Sequence, residues 1–390
     1  MSDLEQIVIN KIRQEGPITF EAFMDMALYY PELGYYASPG TVIGRKGDFY
    51  TSPHLHPIFG AMVARQLMEM WEVMGRPQEF HAIEMGAGAG YLCKDILDYL
   101  SATSNVAEEF MKAMKLVIVE PYQHFEDAQR KLLDNDANDS SQLSFSKGGQ
   151  TITWVQSLPA LGRDITGCIF SNELPDAFPV HIVEMDNELM EVYINVKGEK
   201  FVEEKGELST EELSGYIGQF SAGLSSGYRT EINLRIRGWL REISSVLKEG
   251  FLMTIDYGYS AREYYDDERS RGTLLCYYNH NFNESPYQHI GKQDITAHVN
   301  FSSLKEQGVE FGLKQLGYCP QGTYLTASGI DEVIMELYKD SPDYLTEISK
   351  VKGLIFPQGM GVSHQVMVQY KGEGVAELRG FSMRNLVNNL

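Results

Sequence analysis

Apolar residues recur at helical spacing through "LEQIVINKIRQEGPITFEAFMDMALYY", residues 4 to 30, on both sides of a Gly16-Pro17 break, and Thr19 stands where it can cap the second helix. The spacing predicts a helical N-terminal arm. The stretch that follows, "YYPELGYYASPGTVIGRKGDFYTSPHLHPIFG", is dense in Gly, Pro and Tyr and has no period, which predicts a functional loop longer than a simple connection needs. After a helix around Ile58 to Met74, strand and helix signals alternate: "FHAIEMG", "KLVIVEP", "TWVQSL", "GCIFSNEL" and "LKEGFLMTIDYG". Alternation of this kind predicts an α/β fold with a mainly parallel sheet and helices on both faces. Between Asn187 and about Thr230 an acidic, Gly-rich run interrupts the pattern and reads as an inserted hairpin and helix. "GVEFGLKQLGY" and "SHQVMVQYK" then supply the helix and final strands of the closing edge.

Composition narrows the function classes. The chain has 390 residues, 43% of them hydrophobic, so it can bury a large core. No apolar stretch approaches the roughly 18 residues of a membrane span, and "MSDLEQIVIN" lacks the basic and apolar regions of a signal peptide. These features predict a cytoplasmic protein with no membrane insertion. The four cysteines, Cys93, Cys168, Cys276 and Cys319, lie far apart, which argues against a disulfide framework, a zinc ribbon or a redox pair. The net charge of −21 repels phosphate backbones and anionic lipid, so no nucleic-acid partner is expected and a cationic partner is weakly favoured.

The chemistry starts at "AIEMGAGAGYL", where an apolar strand ends at Glu84 and a turn through Gly86, Ala87, Gly88, Ala89 and Gly90 leads into a helix. The spacing is G-x-G-x-G and not the G-x-G-x-x-G of a dinucleotide fold. Glycines let the backbone pass close under a ligand, while a carboxylate beside the turn repels a pyrophosphate. The same carboxylate suits the ammonium and ribose of an amino-acid nucleoside, and S-adenosylmethionine carries both groups. Glu120, followed by Pro121, ends the strand "LVIVE" and is placed to accept hydrogen bonds from ribose hydroxyls. The plain alternative is a tight strand-to-helix turn with no ligand.

A second constellation, "FSNELPDAFPVH", sets Asn172, Glu173 and Asp176 at the mouth of the predicted sheet, where open α/β folds bind their ligands. Methyl transfer is an in-line displacement at a sulfonium, and paired carboxylates would hold a planar guanidinium acceptor bidentately. A capped, solvated turn is the competing reading.

The ordered blocks "GPITFEAFMDMALYYPELGYYAS", "GDFYTSPHLHPIFG", "IEMGAGAGYLCKDIL", "SNELPDAFPVH", "TIDYGY" and "RGTLLCYYNH...QDITAHVNF" resemble the MidA family across nearly the whole chain. The family's mitochondrial members resemble arginine methyltransferases acting on a respiratory complex I subunit during assembly. The resemblance implies a class I, Rossmann-like methyltransferase fold with a mainly parallel seven-stranded sheet, as residues 58–390, behind an arm and lid loop at 1–57, with insertions at about 187–230 and 260–310. It implies S-adenosylmethionine contacts at Glu84, the turn from Gly86 through Ala87 and Gly88 to Gly90, Glu120 with Pro121, and Asn172. Gly47, Asp48, Thr51 and Ser52 would close over the donor, and the expected partner is a protein with an accessible arginine, such as a respiratory complex subunit. The sequence departs from the family pattern at Ala87, Ala89, His54, Pro175 and Asn300.

Other residues invite readings of their own. His54 and His56 lack a third ligand at matching spacing, so a lid role is preferred to a metal site. Asp294 and His298 stand at i and i+4, consistent with a helix-surface pair or a proton relay. Tyr29, Tyr30, Tyr35, Tyr36, Phe49 and Tyr50 form an aromatic cluster that suits core, lid or acceptor channel. Tyr257 and Tyr259 suit packing or the site equally, and Asp256 reads as a turn cap. Two rivals to arginine methylation stand: a small-molecule methyltransferase, and an assembly chaperone that binds the donor with little turnover.

Overall fold

The protein was analysed as a computed structural model that describes residues 2–40, 52–102, 105–133, 144–147, 150–279, 281–374 and 377–390. Seven strands form the main sheet: β1 (Phe80–Met85), β2 (Met114–Val119), β3 (Gln150–Val155), β4 (Ile165–Asn172), β5 (Leu247–Tyr259), β6 (Lys314–Pro320) and β7 (His364–Lys371). Their spatial order is β3-β2-β1-β4-β5-β7-β6, parallel as far as β5, with β7 antiparallel to both neighbours. Two short strands extend it, Ser144–Lys147 beside β3 and Val299–Asn300 beside β5.

Strands such as β1 and β2 read as continuous apolar runs because both faces of the sheet are covered. One face packs on α3 (Ile58–Val73) and α4 (Tyr91–Ala102), and the other on α5 (Arg235–Val246) and α6 (Phe301–Glu310). From β1 the chain moves outward to β3 and then returns to place β4 on the other side of β1. That reversal opens a crevice beyond the carboxyl ends of β1 and β4, where open α/β sheets take their ligands.

Between β4 and α5 the strands His181–Met185, Leu189–Lys197, Lys200–Gly206 and Arg229–Ile232 build a separate antiparallel sheet, with the helix Glu211–Phe220 following its hairpin. The N-terminal helices α1 (Asp3–Glu15) and α2 (Phe20–Tyr29) are joined to it by Ile18–Thr19, which pairs with Leu189–Lys197. Leu4, Val8, Phe20 and Phe23 share one core with Ile182, Val192, Ile194 and Ile295. Thr19 caps α2 as its position predicts, accepting from Ala22 N at 3.1 Å. The helical reading of the Asp294 to His298 segment is corrected: Asp294–Thr296 is a strand paired with Leu275–Tyr278. Ile295 and Thr296 are β-branched residues that fit a pleated, buried surface, and Asn300 caps α6 through Ser302 N and Ser303 N.

Candidate functional site

At the end of β1 the backbone turns through Gly86, Gly88 and Gly90 with φ of 72°, 52° and 86°, a left-handed region that favours glycine. A Cβ on Gly86 would lie 2.9 Å from Leu174 Cδ1, and one on Gly90 3.2 Å from Gln129 Cγ. The turn therefore carries no side chain at its three glycines and only methyl groups at Ala87 and Ala89. It borders a cavity of about 340 Å³ whose walls include Glu84 to Ala89, Glu120 to Tyr122, Gln156 to Leu158, and Asn172 to Leu174.

Glu84 is 3% exposed, and its Oε2 has no hydrogen-bond partner among the described residues. Burial pushes its carboxyl up to about 8, with the Glu120 charge adding to the shift. A buried acid left unsatisfied in this way suits a cationic ligand group. Glu120 is held differently: its Oε1 accepts from Tyr122 N at 3.1 Å and its Oε2 from Gln129 Nε2 at 2.8 Å. Burial raises it to about 7. Gln129 Nε2 also donates to Gly88 O at 2.9 Å, and Gln129 Oε1 accepts from Trp154 Nε1 at 2.9 Å. One buried amide therefore couples the glycine turn to the second acid. No sequence motif marks Gln129, because its role depends on a helix meeting two strand ends.

Asn172 ends β4, and Glu173 follows with φ of 52°, a strained value for a non-glycine residue that recurs at functional sites. Glu173 N donates to Ile255 O at 2.8 Å. Its Oε1 accepts from Asn172 Nδ2 at 3.1 Å and Ser52 N at 3.4 Å, and His364 Nε2 lies 3.4 Å away. Asn172 and Glu173 line the cavity, whereas Asp176 sits one layer behind them and is 4% exposed. The Tyr257 hydroxyl donates to Asp176 Oδ2, and Asp176 N donates to Asp256 Oδ2 at 3.3 Å. Burial lifts Asp176 to about 7, and burial together with the Asp176 charge raises Asp256.

The structure thus gathers Glu84, Gly86, Ala87, Gly88, Glu120, Pro121, Asn172 and Glu173 around one cavity, whereas Gly90 stands off its wall, packed against Gln129. Ser52 is buried beside it, donating from Oγ to Gln321 Oε1 at 3.1 Å, while Gly47, Asp48, Thr51, Phe49 and Tyr50 lie outside the described residues. His54 lines the cavity edge-on to Tyr91. His56 is an anchor, with Nε2 2.8 Å from Glu347 and Nδ1 accepting from Ile58 N. Tyr29 and Tyr36 stack at 5.6 Å and line the cavity, held by Ala177 O and Asp294 Oδ1. Tyr259 instead lies under the Arg269 guanidinium at 3.9 Å. The sequence marked Asp256 only as a turn cap and did not single out His364; the structure sets them beside Asp176 and Glu173 respectively. The available signal was the position of Asp256 near the carboxyl end of β5, next to β4.

Comparison with known proteins places the chain in a family. A family profile described as "Putative S-adenosyl-L-methionine-dependent methyltransferase" matches residues 62–319. The chain belongs to this family. A Drosophila melanogaster relative named protein arginine methyltransferase NDUFAF7 homolog, mitochondrial, is 27% identical over 388 residues, covering 94% of this chain and 85% of its own. The Rattus norvegicus protein arginine methyltransferase NDUFAF7, mitochondrial, is 27% identical, covering 90% and 80%. A COG1565 superfamily member from Burkholderia thailandensis, solved with S-adenosyl-homocysteine, superposes with a TM-score of 0.88 at 28% identity, covering 99% of this chain and 96% of its own. The family member described here is accordingly an S-adenosylmethionine-dependent methyltransferase with the class I fold. Among the described residues, no helix is long and apolar enough to cross a membrane.

Proposed function

We propose that this methyltransferase acts on arginine side chains of a protein, with the acceptor guanidinium against Glu173. The observation that carries this reading is a carboxylate on the cavity wall, held in strained backbone geometry and backed by two further buried acids, Asp176 and Asp256. A guanidinium is permanently charged and planar, so a fixed acidic wall is the environment that selects it. The names of the relatives agree with this acceptor.

On the donor side we assign Glu84 to the ammonium, Glu120 to the ribose hydroxyls, and the backbone of Gly86 to Gly90 with Pro121 to the surface between them. The unpartnered Glu84 carboxyl and the bare turn fit such a ligand. When bound, S-adenosylmethionine supplies an electrophilic methyl group. Glu173 holds the acceptor nitrogen and takes its proton, while Asn172 and Ser52 N fix the carboxylate that does so. Asp176 and Tyr257 support the Glu173 loop from behind. A respiratory complex subunit is the first acceptor to test. The cytoplasmic location expected from the sequence stands against the mitochondrial names of the relatives, and cell fractionation decides between them.

The test is methyl transfer to arginine-containing proteins, read by mass spectrometry. Glu173→Gln should keep donor affinity but reduce turnover on the order of 100-fold, since a charge-assisted contact to the acceptor is lost. A folded variant with wild-type turnover would remove Glu173 from the mechanism. Methylation confined to a small neutral metabolite would move the assignment to a small-molecule methyltransferase.

A further inference from the structure

Methylating a guanidinium forms a C–N bond as the C–S bond breaks, with that electron pair staying on sulfur. The nitrogen must shed one proton, because the product would otherwise carry a second positive charge. If Glu173 takes that proton, the carboxyl must lose it before the next turnover. While product fills the cavity that Glu173 lines, the carboxyl has little direct access to water, its side chain being only 7% exposed.

We propose that His364 draws the proton from Glu173 and passes it through Ser363 to solvent. The inference rests on the arginine reading and extends it. His364 opens β7, directly opposite Tyr257 of β5, and is 6% exposed. Its Nε2 lies 3.4 Å from Glu173 Oε1 and has no hydrogen bond among the described residues. Its Nδ1 lies 3.1 Å from Ser363 Oγ, and Ser363 is exposed. Two short steps therefore join a buried carboxylate to the surface. With the proton on Nδ1, neutral His364 accepts at Nε2 from the Glu173 carboxyl. Nδ1–H then donates to Ser363 Oγ, whose own hydroxyl proton passes to water. The ring is an imidazolium between the two transfers and neutral after them, with its proton on Nε2. Rotation of the neutral ring before the next cycle presents an unprotonated nitrogen to Glu173 again, so the proton count balances with water as the final acceptor.

The other titratable groups facing His364 are Asp176, Tyr257 and His298, with Asp256 behind Asp176. None offers a comparable exit. Asp176 and Asp256 are buried and tied to the Tyr257 hydroxyl and backbone N–H groups. Burial drives the Tyr257 hydroxyl well above its usual range, and burial holds His298 down at about 4. His364 is thus a positioning and proton-carrying residue that acts through Glu173.

The experiment uses the full-length enzyme and an arginine-containing protein that the wild type methylates. His364→Gln should leave S-adenosylmethionine affinity by calorimetry and the acceptor KM close to wild type, while kcat falls on the order of 100-fold. The remaining rate should climb with pH, as hydroxide replaces the lost carrier. In His364→Ala, added imidazole should restore part of kcat, which a purely structural residue would not allow. Under multiple turnover the wild-type kcat should also be lower in D₂O than in H₂O. Single-turnover transfer, which is over before Glu173 is reset, should respond far less, and this arm needs no variant to fold. A folded His364→Gln enzyme with wild-type kcat, or a multiple-turnover kcat insensitive to D₂O, overturns the relay while leaving arginine methylation intact. Failure of the wild type to methylate any arginine would instead overturn the underlying reading.

Discussion

Glu84 shows how one side chain can be costly to the empty fold and suited to the ligand group proposed for it. Its carboxyl titrates near 4.5 in the unfolded chain and at about 8 when buried. Between those values the folded state binds the extra proton, so this group's contribution to stability falls as pH rises through that window and is not lost below it. Glu84→Gln should therefore melt higher than wild type without ligand, by a margin that grows from pH 4.5 to pH 8, as scanning fluorimetry can follow. The same variant should lose donor affinity. In the wild type a bound ammonium favours the ionised carboxylate, so donor binding should release protons below about pH 8 and tighten as pH rises toward that value. Calorimetry in buffers of different ionisation enthalpy reads this directly, and proton uptake on binding would show that Glu84 does not meet the ammonium.

The site also depends on how elements are seated. α4 starts at the glycine turn, and its position is fixed partly by close contact with α3. A Cβ on Gly60 of α3 would lie 2.4 Å from Asp95 Cβ on α4, closer than the two helices permit. Gly60→Ala should force them apart, costing on the order of 1–3 kcal/mol in a denaturant titration. It should weaken donor binding too, because α4 carries the turn with it. Unchanged stability would mean that the helices separate freely and that the turn is fixed elsewhere, through Gln129. The strand ends show the same dependence. Asp256 and Glu173 are distant in sequence, yet parallel pairing of β5 with β4 sets Ile255 opposite Asn172 and brings both acids to the same end of the sheet.

At the scale of the whole molecule, a net charge of −21 gives a field that attracts a cationic partner before any contact forms. Salt screens that field beyond about 8–10 Å at physiological strength. Steady-state kcat/KM on a basic protein substrate should fall as salt is raised, while kcat at saturation changes far less. Equal salt dependence of both would place the effect in the chemical step and remove electrostatic steering. The inserted antiparallel sheet and the N-terminal helices form a shared core, so the arm belongs to the architecture that closes the site. Tyr29 and Tyr36 reach the cavity wall from that arm.

What the sequence determined was whatever local patterning and short spacing encode. Apolar runs fixed the strands, the G-x-G-x-G turn after Glu84 separated an amino-acid nucleoside from a dinucleotide, and strand-end positions put Glu120, Asn172 and Glu173 at the carboxyl end of the sheet, where the cavity lies. The hairpin and helix after Asn187 were legible for the same reason. Tertiary structure decided what depends on elements meeting from far along the chain. It moved Asp176 behind the wall, turned the Asp294 segment into a strand, and coupled Gln129 to the glycine turn. It also set His364 against Glu173 across 191 residues, since 364 − 173 = 191. A side chain's chemistry is written locally, but its burial and its partners follow from which strands pair, and strand pairing is a property of the whole sheet.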